Sequence, residues 1–350
     1  MDTYSPILKV VLIRSSCPLW ILLNVPPATT FLNILAEYKL INLLINLLYA
    51  KKFKMKNDYA PRHLNLKNLL DDAVKQASGD EKKTGVVFSA GIDSTIIAML
   101  ANKFSSVSAY TVGTYESEDV IFARKFKTLN LTNTKIVLIT ENDVKNEIEN
   151  IVKILKDNNI EITRLNLSTA VPIYFASKKA GEDGIKVMLS GQGADEIFGG
   201  YARYLRMNED ERLIAMKNDI NIAYKENLNR DIAMCAFNKI CLKFPYMEKN
   251  FSDYAMNIPM EFKIYEVKGD EGDEYIDEFA ETIDIVEGKK FIRKFILRKL
   301  AENIGVPEFI VKRKKKAMQY GSRSEKIIEK ILKKSEEYSH KATKSPSYRI

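Results

Sequence analysis

Strand-type and helix-type patterns alternate along residues 62–200, and this alternation restricts the fold more than any other feature of the sequence. Short apolar runs at Thr84–Phe88, Val107–Val112, Lys135–Ile139 and Lys186–Leu189 are typical of strands, and stretches with helical spacing lie between them. Strands separated by helices in this way form a parallel sheet with crossover helices. The sequence therefore predicts an α/β fold built on a doubly wound parallel sheet.

Strand signals fade after Tyr201, and helical spacing takes over. We expect residues 201–338 to form a C-terminal helical extension packed on the sheet, so that 62–338 is one domain with two parts, 62–200 and 201–338. Residues 266–287 carry ten acidic side chains and one lysine, which predicts a solvated insertion. Residues 339–350 are interpreted as a flexible tail.

The first 54 residues form an apolar segment of a different character. Glu37 and Lys39 interrupt its longer apolar stretch, and a small-residue cleavage site is lacking, so a membrane span and a signal peptide both fit poorly. Three interpretations stay open: an amphipathic helix, Leu32–Leu48, on a membrane surface, a helix packed on the body, and a start assigned too early, with Met55 as the true first residue. We favour the last, and we expect a cytoplasmic protein without membrane contact through 1–54.

Cysteine, histidine and charge exclude several classes of function. The 350 residues contain three cysteines and two histidines with no CxxC, which argues against zinc sites, iron–sulfur clusters, disulfide scaffolds and a Ser-His or Cys-His nucleophile. The net charge is +8, and half of it lies in residues 1–54. The body is only mildly basic, so we expect no nucleic-acid partner.

The first chemical motif is the small-residue turn Ser89–Thr95, between a predicted strand and a predicted helix. Its backbone N–H groups, its hydroxyls and the helix N-terminus favour an anion such as a phosphate chain. Asp93 repels phosphate unless Mg²⁺ lies between them. The turn lacks the GxxxxGK[ST] pattern of Walker loops, and an ordinary capped turn is the alternative.

The second motif is Leu189–Tyr201, which follows another predicted strand. It contains four glycines, which let a ligand approach the backbone, and it offers Asp195 as a second carboxylate for a metal. Ligands of open α/β sheets bind outside the carboxyl ends of the strands. We therefore expect Asp93 and Asp195 to face one crevice.

Together, SAGIDS (89–94) and LSGQGADEIFGGY (189–201) resemble the synthetase domain of asparagine synthetases and their relatives, which include the β-lactam synthetases. The resemblance covers about residues 62–325. It implies the nucleotide-binding sheet of the pyrophosphatase-loop group, and a ligase that uses ATP and Mg²⁺. Such a ligase cleaves ATP to AMP and pyrophosphate, activates a carboxylate such as aspartate as an acyl-adenylate, and transfers ammonia to it.

The resemblance also implies roles for single residues. It assigns the phosphates to Ser89, Gly91, Asp93 and Ser94, the adenosine pocket to Phe88, Val112, Ser190 and Gly191, and Mg²⁺ to Asp93 and Asp195. The basic run Lys312–Lys316 resembles an Arg-x-Lys element whose lysine stabilises charge in the transition state. Spacing from Arg313 favours Lys315 as this catalytic lysine, with Lys316 second. A solvated or nucleic-acid-binding basic patch is the alternative.

Three departures from the family pattern bear on the substrate. Ala90 replaces a glycine, which is tolerable if its φ is negative. Gln192 replaces a glutamate tied to forming or aminating the adenylate, and is kept as a catalytic candidate. Cys241–Glu248 lacks an acid that the family carries there. A match to the glutaminase half of the family is not found in these residues, so we expect free ammonia, a separate glutaminase subunit or another amine to supply the nitrogen.

Three hypotheses follow from these motifs. The first is an ATP-dependent amide ligase of the asparagine synthetase type. The second is a related adenylating ligase with another acid or amine, of the β-lactam synthetase or tRNA-modifying kind. The third is a non-catalytic family member, against which the retained Asp93, Asp195 and Lys315 argue.

Overall fold

The computed structural model of the chain describes residues 62–267 and 274–344. The three interpretations of residues 1–54 therefore lie outside the described residues, as do 268–273 of the acidic stretch and 345–350 of the tail. Within the described ranges, no helix combines the length and apolarity that crossing a membrane requires.

A five-stranded parallel sheet forms the centre of the fold. Its strands are β1 (Lys83–Val87), β2 (Ser106–Gly113), β3 (Asn133–Leu138), β4 (Val187–Ser190) and β5 (Cys241–Lys243), in the order β3-β2-β1-β4-β5. The four predicted strands are confirmed to within two residues at each end. The fifth strand was not predicted, because three residues are too few to show a periodic pattern and they lie where helix was expected.

Helices cover the sheet and bury its apolar strands. They are α1 (62–78), α2 (Ile92–Ala101), α3 (Glu118–Lys127), α4 (Glu141–Asp157) and α5 (Arg164–Glu182). The start of α4 shows how local sequence sets these bounds. Thr140 Oγ1 accepts the Asp143 N–H, and the Asp143 carboxylate accepts the Thr140 N–H, which satisfies two free donors of the first turn. The doubly wound α/β prediction is confirmed.

The C-terminal part is mainly helical, as expected. Its helices are α6 (Ala194–Phe198), α7 (Glu209–Ile222), α8 (Leu228–Phe237), α9 (Lys249–Met256), α10 (Met260–Lys263), α11 (Glu274–Glu278), α12 (Phe295–Asn303), α13 (Glu308–Val311), α14 (Met318–Gly321) and α15 (Ser324–Lys344). Helix α15 continues past residue 339, where the tail was expected to begin.

A small antiparallel sheet also lies in this part. It consists of β6 (Ile264–Val267), β7 (Asp284–Val286) and β8 (Lys289–Arg293), in the order β6-β8-β7. The acidic stretch 266–287 was predicted to be only a solvated insertion, but both of its described ends pair with β8. Phe291 is 2% exposed and holds this sheet against the rest of the fold.

The strand order reverses between β1 and β4. From β1 the chain moves outward to β2 and β3, and then crosses back to β4 and β5 on the other side. In doubly wound sheets the crevice at such a reversal, beyond the carboxyl ends of the strands, is the usual ligand site. Both motifs follow these two strands.

Candidate functional site

The loop between β1 and α2 is curled by its own hydroxyl groups. The Ser94 hydroxyl donates to the Gly91 carbonyl at 3.2 Å, and the Ser89 N–H donates to Ser94 Oγ at 3.3 Å. Thr95 Oγ1 donates to the same Gly91 carbonyl at 2.8 Å. This arrangement gathers two hydroxyls and the amino end of α2 around one point, which suits an anion.

Ala90 of this loop adopts the left-handed backbone conformation. Its φ is +53°, and it is fully buried. The condition under which an alanine would be tolerable here, a negative φ, is therefore not met. For a residue with a Cβ atom this conformation costs roughly 1–2 kcal/mol, and the surrounding loop contacts must offset that strain.

The loop after β4 lies directly against the loop between β1 and α2. A Cβ atom on Gly191 would lie 2.9 Å from Ser94 N and 3.0 Å from Asp93 Cβ, closer than such atoms approach in proteins. Glycine is therefore required for this contact. The structure brings the two motifs together at the reversal of strand order, as the sequence predicted.

Lys294 joins the two predicted metal carboxylates. Its Nζ lies 2.7 and 2.6 Å from the two carboxylate oxygens of Asp93, and 2.8 Å from Asp195 Oδ1. The Lys294 side chain is only 2% exposed. The residue was not predicted, and it reaches the crevice from the start of α12, 201 positions from Asp93.

The two carboxyl groups differ in their electrostatic environment. Burial raises the pKa of Asp93, and the Lys294 ammonium offsets this only in part. Burial also works against the ionised form of Asp195, but Lys294 and Lys315 together hold its pKa below the ordinary value. Asp195 is thus ionised at neutral pH, and it faces two cations.

The donor set fits Mg²⁺. Two carboxylates converge on one cation, and carboxylate oxygens are the ligands that Mg²⁺ prefers. Among the described residues no group of three or more His, Cys, Asp or Glu side chains could hold a metal. Asp93 and Asp195 would therefore need phosphate oxygens and water to complete an octahedral shell, as is usual for Mg²⁺ bound with nucleotides.

The basic run Lys312–Lys316 forms a basic loop after α13, and its two candidate catalytic lysines lie in different surroundings. Lys315 Nζ lies 3.1 Å from Asp195 Oδ2 and 5.7 Å from the centroid of the Tyr201 ring, within the crevice. Lys316 Nζ instead lies 2.6 Å from Glu118 Oε2 at the rim, and its side chain is 43% exposed. The geometry favours Lys315 over Lys316.

Two buried arginines hold this basic loop in place. Arg313 donates to the Ser89 carbonyl at 2.7 Å and to Asp119 Oδ1 at 2.7 Å, so it ties the basic loop to the loop between β1 and α2 and to α3. Arg298 donates to the carbonyls of Arg293, Val311 and Arg313. Burial lowers the pKa of Arg298 to about 10, which leaves it charged at neutral pH.

A cavity of about 520 Å³ lies between these loops, a size that suits a nucleotide and a small substrate. Ten of the predicted site residues line it: Ser89, Gly91, Asp93, Ser94, Ser190, Gly191, Gln192, Asp195, Lys315 and Lys316. Phe88 and Val112 do not. They line a neighbouring cavity of about 10 Å³, and the Phe88 ring packs 5.1 Å from that of Phe126.

Other residues that line the cavity carry charges of both signs. Arg230 pairs with Asp231 at 2.9 Å, and both are almost fully buried. Arg203 pairs with Asp219 nearer the solvent. Glu196 is also buried, and it accepts the Tyr201 hydroxyl at 2.7 Å. Both signs of charge are thus available to a substrate.

Sequence reasoning missed Lys294 and Arg298, although one signal could have found them. Both lie one helical turn apart within the apolar stretch Phe291–Leu300, on positions where helical spacing buries a side chain. Lysine and arginine are almost never fully buried unless paired. Two cations in an apolar helical pattern therefore indicate buried acidic or carbonyl partners.

The fold and the crevice define an α/β protein with a hydroxyl-lined loop and a pair of carboxylates where the strand order of its sheet reverses. Residues 65–230 and 214–346 match the family described as Asparagine synthase, and the chain belongs to that family. The assignment made from the two motifs is confirmed.

Curated relatives support this assignment. A putative asparagine synthetase [glutamine-hydrolyzing] 1 of Methanocaldococcus jannaschii is 34% identical over 303 residues, which cover 83% of this chain and 54% of that protein. Probable asparagine synthetases [glutamine-hydrolyzing] of Acanthamoeba polyphaga mimivirus and Dictyostelium discoideum are 28% and 24% identical, over 69% and 68% of this chain and 41% and 42% of those proteins. The chain thus spans about half the length of these relatives.

Proposed function

We propose that this chain is an ATP-dependent amide ligase, which activates a carboxylate such as aspartate as an acyl-adenylate and transfers ammonia to it. Membership of the asparagine synthase family implies ATP use. The observation that carries the proposal is the convergence of the hydroxyl-lined loop, Asp93, Asp195 and Lys315 on one cavity.

The first step forms the adenylate. A carboxylate oxygen of the substrate attacks the α-phosphorus of ATP, and the bond to the bridging oxygen breaks, so pyrophosphate leaves. Ser89, Ser94 and the N–H of Gly91 bind the leaving phosphates, and Lys315 neutralises the negative charge that grows in the transition state. Ser190 and Gly191, which line the cavity, are proposed to contact the adenosine, whereas Phe88 and Val112, to which the family resemblance gives the same role, line the small neighbouring cavity instead. Mg²⁺ held by Asp93 and Asp195 would supply further neutralisation of the phosphates.

The second step forms the amide. The nitrogen lone pair of ammonia attacks the acyl carbon, the bond to the AMP oxygen breaks, and one proton is lost to solvent. Gln192 lines the cavity beside Ser190 and Gly191, where its amide can donate to and accept from the acyl group or the amine. The mixed charges of Arg230, Asp231 and Glu196 suit an amino acid substrate, which carries both signs.

We place this reaction in the cytoplasm. Cys235 and Cys241 are both free thiols, and Cys235 is buried in the core. Free thiols are usual in reducing compartments such as the cytosol, which also contains the ATP that the proposed reaction uses.

Exchange of labelled pyrophosphate into ATP tests the adenylation step. We expect exchange with aspartate among a panel of carboxylic acids, in the presence of Mg²⁺. Lys315→Met should reduce the exchange rate by about 100-fold or more, because a cation facing the developing charge is worth about 3 kcal/mol. The neighbouring Lys316→Met, which removes the same charge at the rim, should cost less than tenfold.

The pattern of exchange decides between the hypotheses. Exchange with another acid but not with aspartate would assign the chain to a different adenylating ligase. No exchange with any acid would contradict the proposed function. Equal losses in the two lysine variants would contradict the assignment of Lys315 by its position.

We expect amide formation to rise with pH, because only uncharged ammonia is nucleophilic and most of it is ammonium at pH 7. Gln192 has no group that titrates in this range. If it shapes the pocket, Gln192→Glu should leave both the pyrophosphate exchange and the pH profile of ammonia-dependent AMP release unchanged within about threefold. A higher rate of the variant at pH 7, with exchange intact, would show that a base at this position assists amination.

A further inference from the structure

Lys294 lies where a metal ion would lie. Its ammonium contacts both oxygens of Asp93 and one of Asp195, all within 2.8 Å, while Lys315 contacts the other oxygen of Asp195 at 3.1 Å. Two carboxylates and two ammonium groups make this buried cluster neutral. A divalent cation entering alone would have to displace Lys294 from its partners and leave it buried without them, which is costly.

The backbone holds Lys294 in this position under strain. Lys294 has φ +56° and ψ +35°, the left-handed conformation that a residue with a Cβ atom seldom adopts. The Arg298 N–H donates to the Lys294 carbonyl at 2.9 Å, and the preceding Arg293 guanidinium binds Asp284 and the Gly200 carbonyl. Strain of this kind persists where the surroundings over-determine it, and it often marks function.

We propose that Lys294 is a placeholder cation, which neutralises Asp93 and Asp195 in the nucleotide-free protein so that a divalent metal binds there only together with a polyphosphate. The polyphosphate brings the negative charge that the Lys294 ammonium needs as a new partner, and its departure frees the two carboxylates for the metal. Binding of metal and of nucleotide is then coupled, and the coupling is reciprocal. This inference rests on the proposed function only in taking ATP as the polyphosphate.

The experiment measures Mn²⁺ binding, with free Mn²⁺ followed by electron paramagnetic resonance. Mn²⁺ substitutes for Mg²⁺ at oxygen ligands, and Asp195→Asn identifies the fraction bound at this site. For the unmodified protein we expect the Mn²⁺ affinity of the site to rise at least tenfold when α,β-methylene-ATP, which cannot release pyrophosphate, is added. Equal affinity with and without the nucleotide analogue would overturn the proposal.

Lys294→Met separates the placeholder role from a purely structural one. Without the ammonium the cluster carries a net negative charge, so Mn²⁺ should bind at least tenfold more tightly in the absence of nucleotide, and the coupling should shrink. Lys289→Met is the matched control: Lys289 lies five residues earlier, on β8, and pairs with Glu266 at the surface. It should bind Mn²⁺ as the unmodified protein does. Unchanged affinity in Lys294→Met would contradict the proposal.

A variant that folds poorly still gives an answer. Mn²⁺ alone should raise the thermal unfolding temperature of Lys294→Met but not that of the unmodified protein, because only in the variant do the oxygens that Lys294 contacts on Asp93 and Asp195 lack their ammonium partner. If Lys294→Met does not fold even with Mn²⁺, the proposal is tested by the unmodified protein alone, through the rise of its Mn²⁺ affinity when the nucleotide analogue is added. None of these readouts requires an acid substrate. Coupled binding without pyrophosphate exchange would thus retain this inference and reject the ligase, and exchange without coupling would do the reverse.

Discussion

Asp195→Asn and Asp93→Asn should each reduce pyrophosphate exchange by about 1000-fold or more. Each substitution leaves a neutral amide in place of a carboxylate that faces Lys294, and at Asp195 also Lys315. The site then loses half of its anionic ligands for Mg²⁺, whose contribution to the transition state is several kcal/mol. A loss of about 4 kcal/mol corresponds to a factor of 1000 in rate. The measurement is exchange with saturating ATP and Mg²⁺.

Asp183→Asn is the matched control for these two variants. Asp183 lies before the amino end of β4, away from the carboxyl ends of the strands where the crevice lies. There it accepts the Tyr110 hydroxyl at 2.9 Å and pairs with Lys179. The substitution removes one carboxylate without touching the crevice, so exchange should remain near that of the unmodified protein. Thermal unfolding of all three variants excludes loss of folded protein as the cause. Full exchange in either crevice variant would contradict the assignment of these carboxylates.

The sheet was predictable because its strands are local patterns. Four strands each have four to eight consecutive residues with a clear apolar character, and α4 even carries its capping residues in the adjoining sequence. Strand β5 and the small sheet β6-β8-β7 were not predictable in this way. β5 has three residues, and β6 and β7 border a stretch whose acidic composition indicates solvent, so their pairing depends on tertiary contacts.

The same reasoning explains which site residues were found. Ser89, Asp93, Gly191 and Asp195 belong to two contiguous motifs, and the rule for the carboxyl ends of strands places both motifs at one crevice. Lys294 has no motif around it. Its role depends on a contact between α12 and α2 across 201 residues, and on a left-handed backbone that nothing in the local sequence requires.

Ala90 illustrates a different limit. The sequence shows an alanine where the family has glycine, and a negative φ is the least strained outcome for alanine. The observed φ of +53° accompanies the tight curl of the loop, in which Ser89 and Ser94 hydrogen-bond to each other. The geometry of the whole loop therefore prevails here over the local preference of the residue.

Gly200→Ala should strongly reduce the rate of adenylation, although the substitution adds only a single methyl group. A Cβ atom at Gly200 would lie 1.9 Å from Asp195 Oδ1 and 2.5 Å from Lys294 Cε, so neither side chain can keep its position. The expected result is a loss of pyrophosphate exchange of at least about 100-fold, since displacement of reacting groups by about 1 Å has effects of this size. Overpacking should also lower the free energy of unfolding by about 1–3 kcal/mol.

Gly305→Ala shows how a loss of stability alone would look. Gly305 follows α12 with φ +81°, and a Cβ atom there would meet no other atom within 4 Å. Alanine at this position costs about 1 kcal/mol through backbone conformation, but it leaves the crevice untouched, so exchange by the folded protein should be retained. Both variants are compared by urea unfolding and by exchange at a temperature where each is folded. If Gly200→Ala loses stability like Gly305→Ala but keeps its exchange rate, the positions of Asp195 and Lys294 are not what adenylation requires.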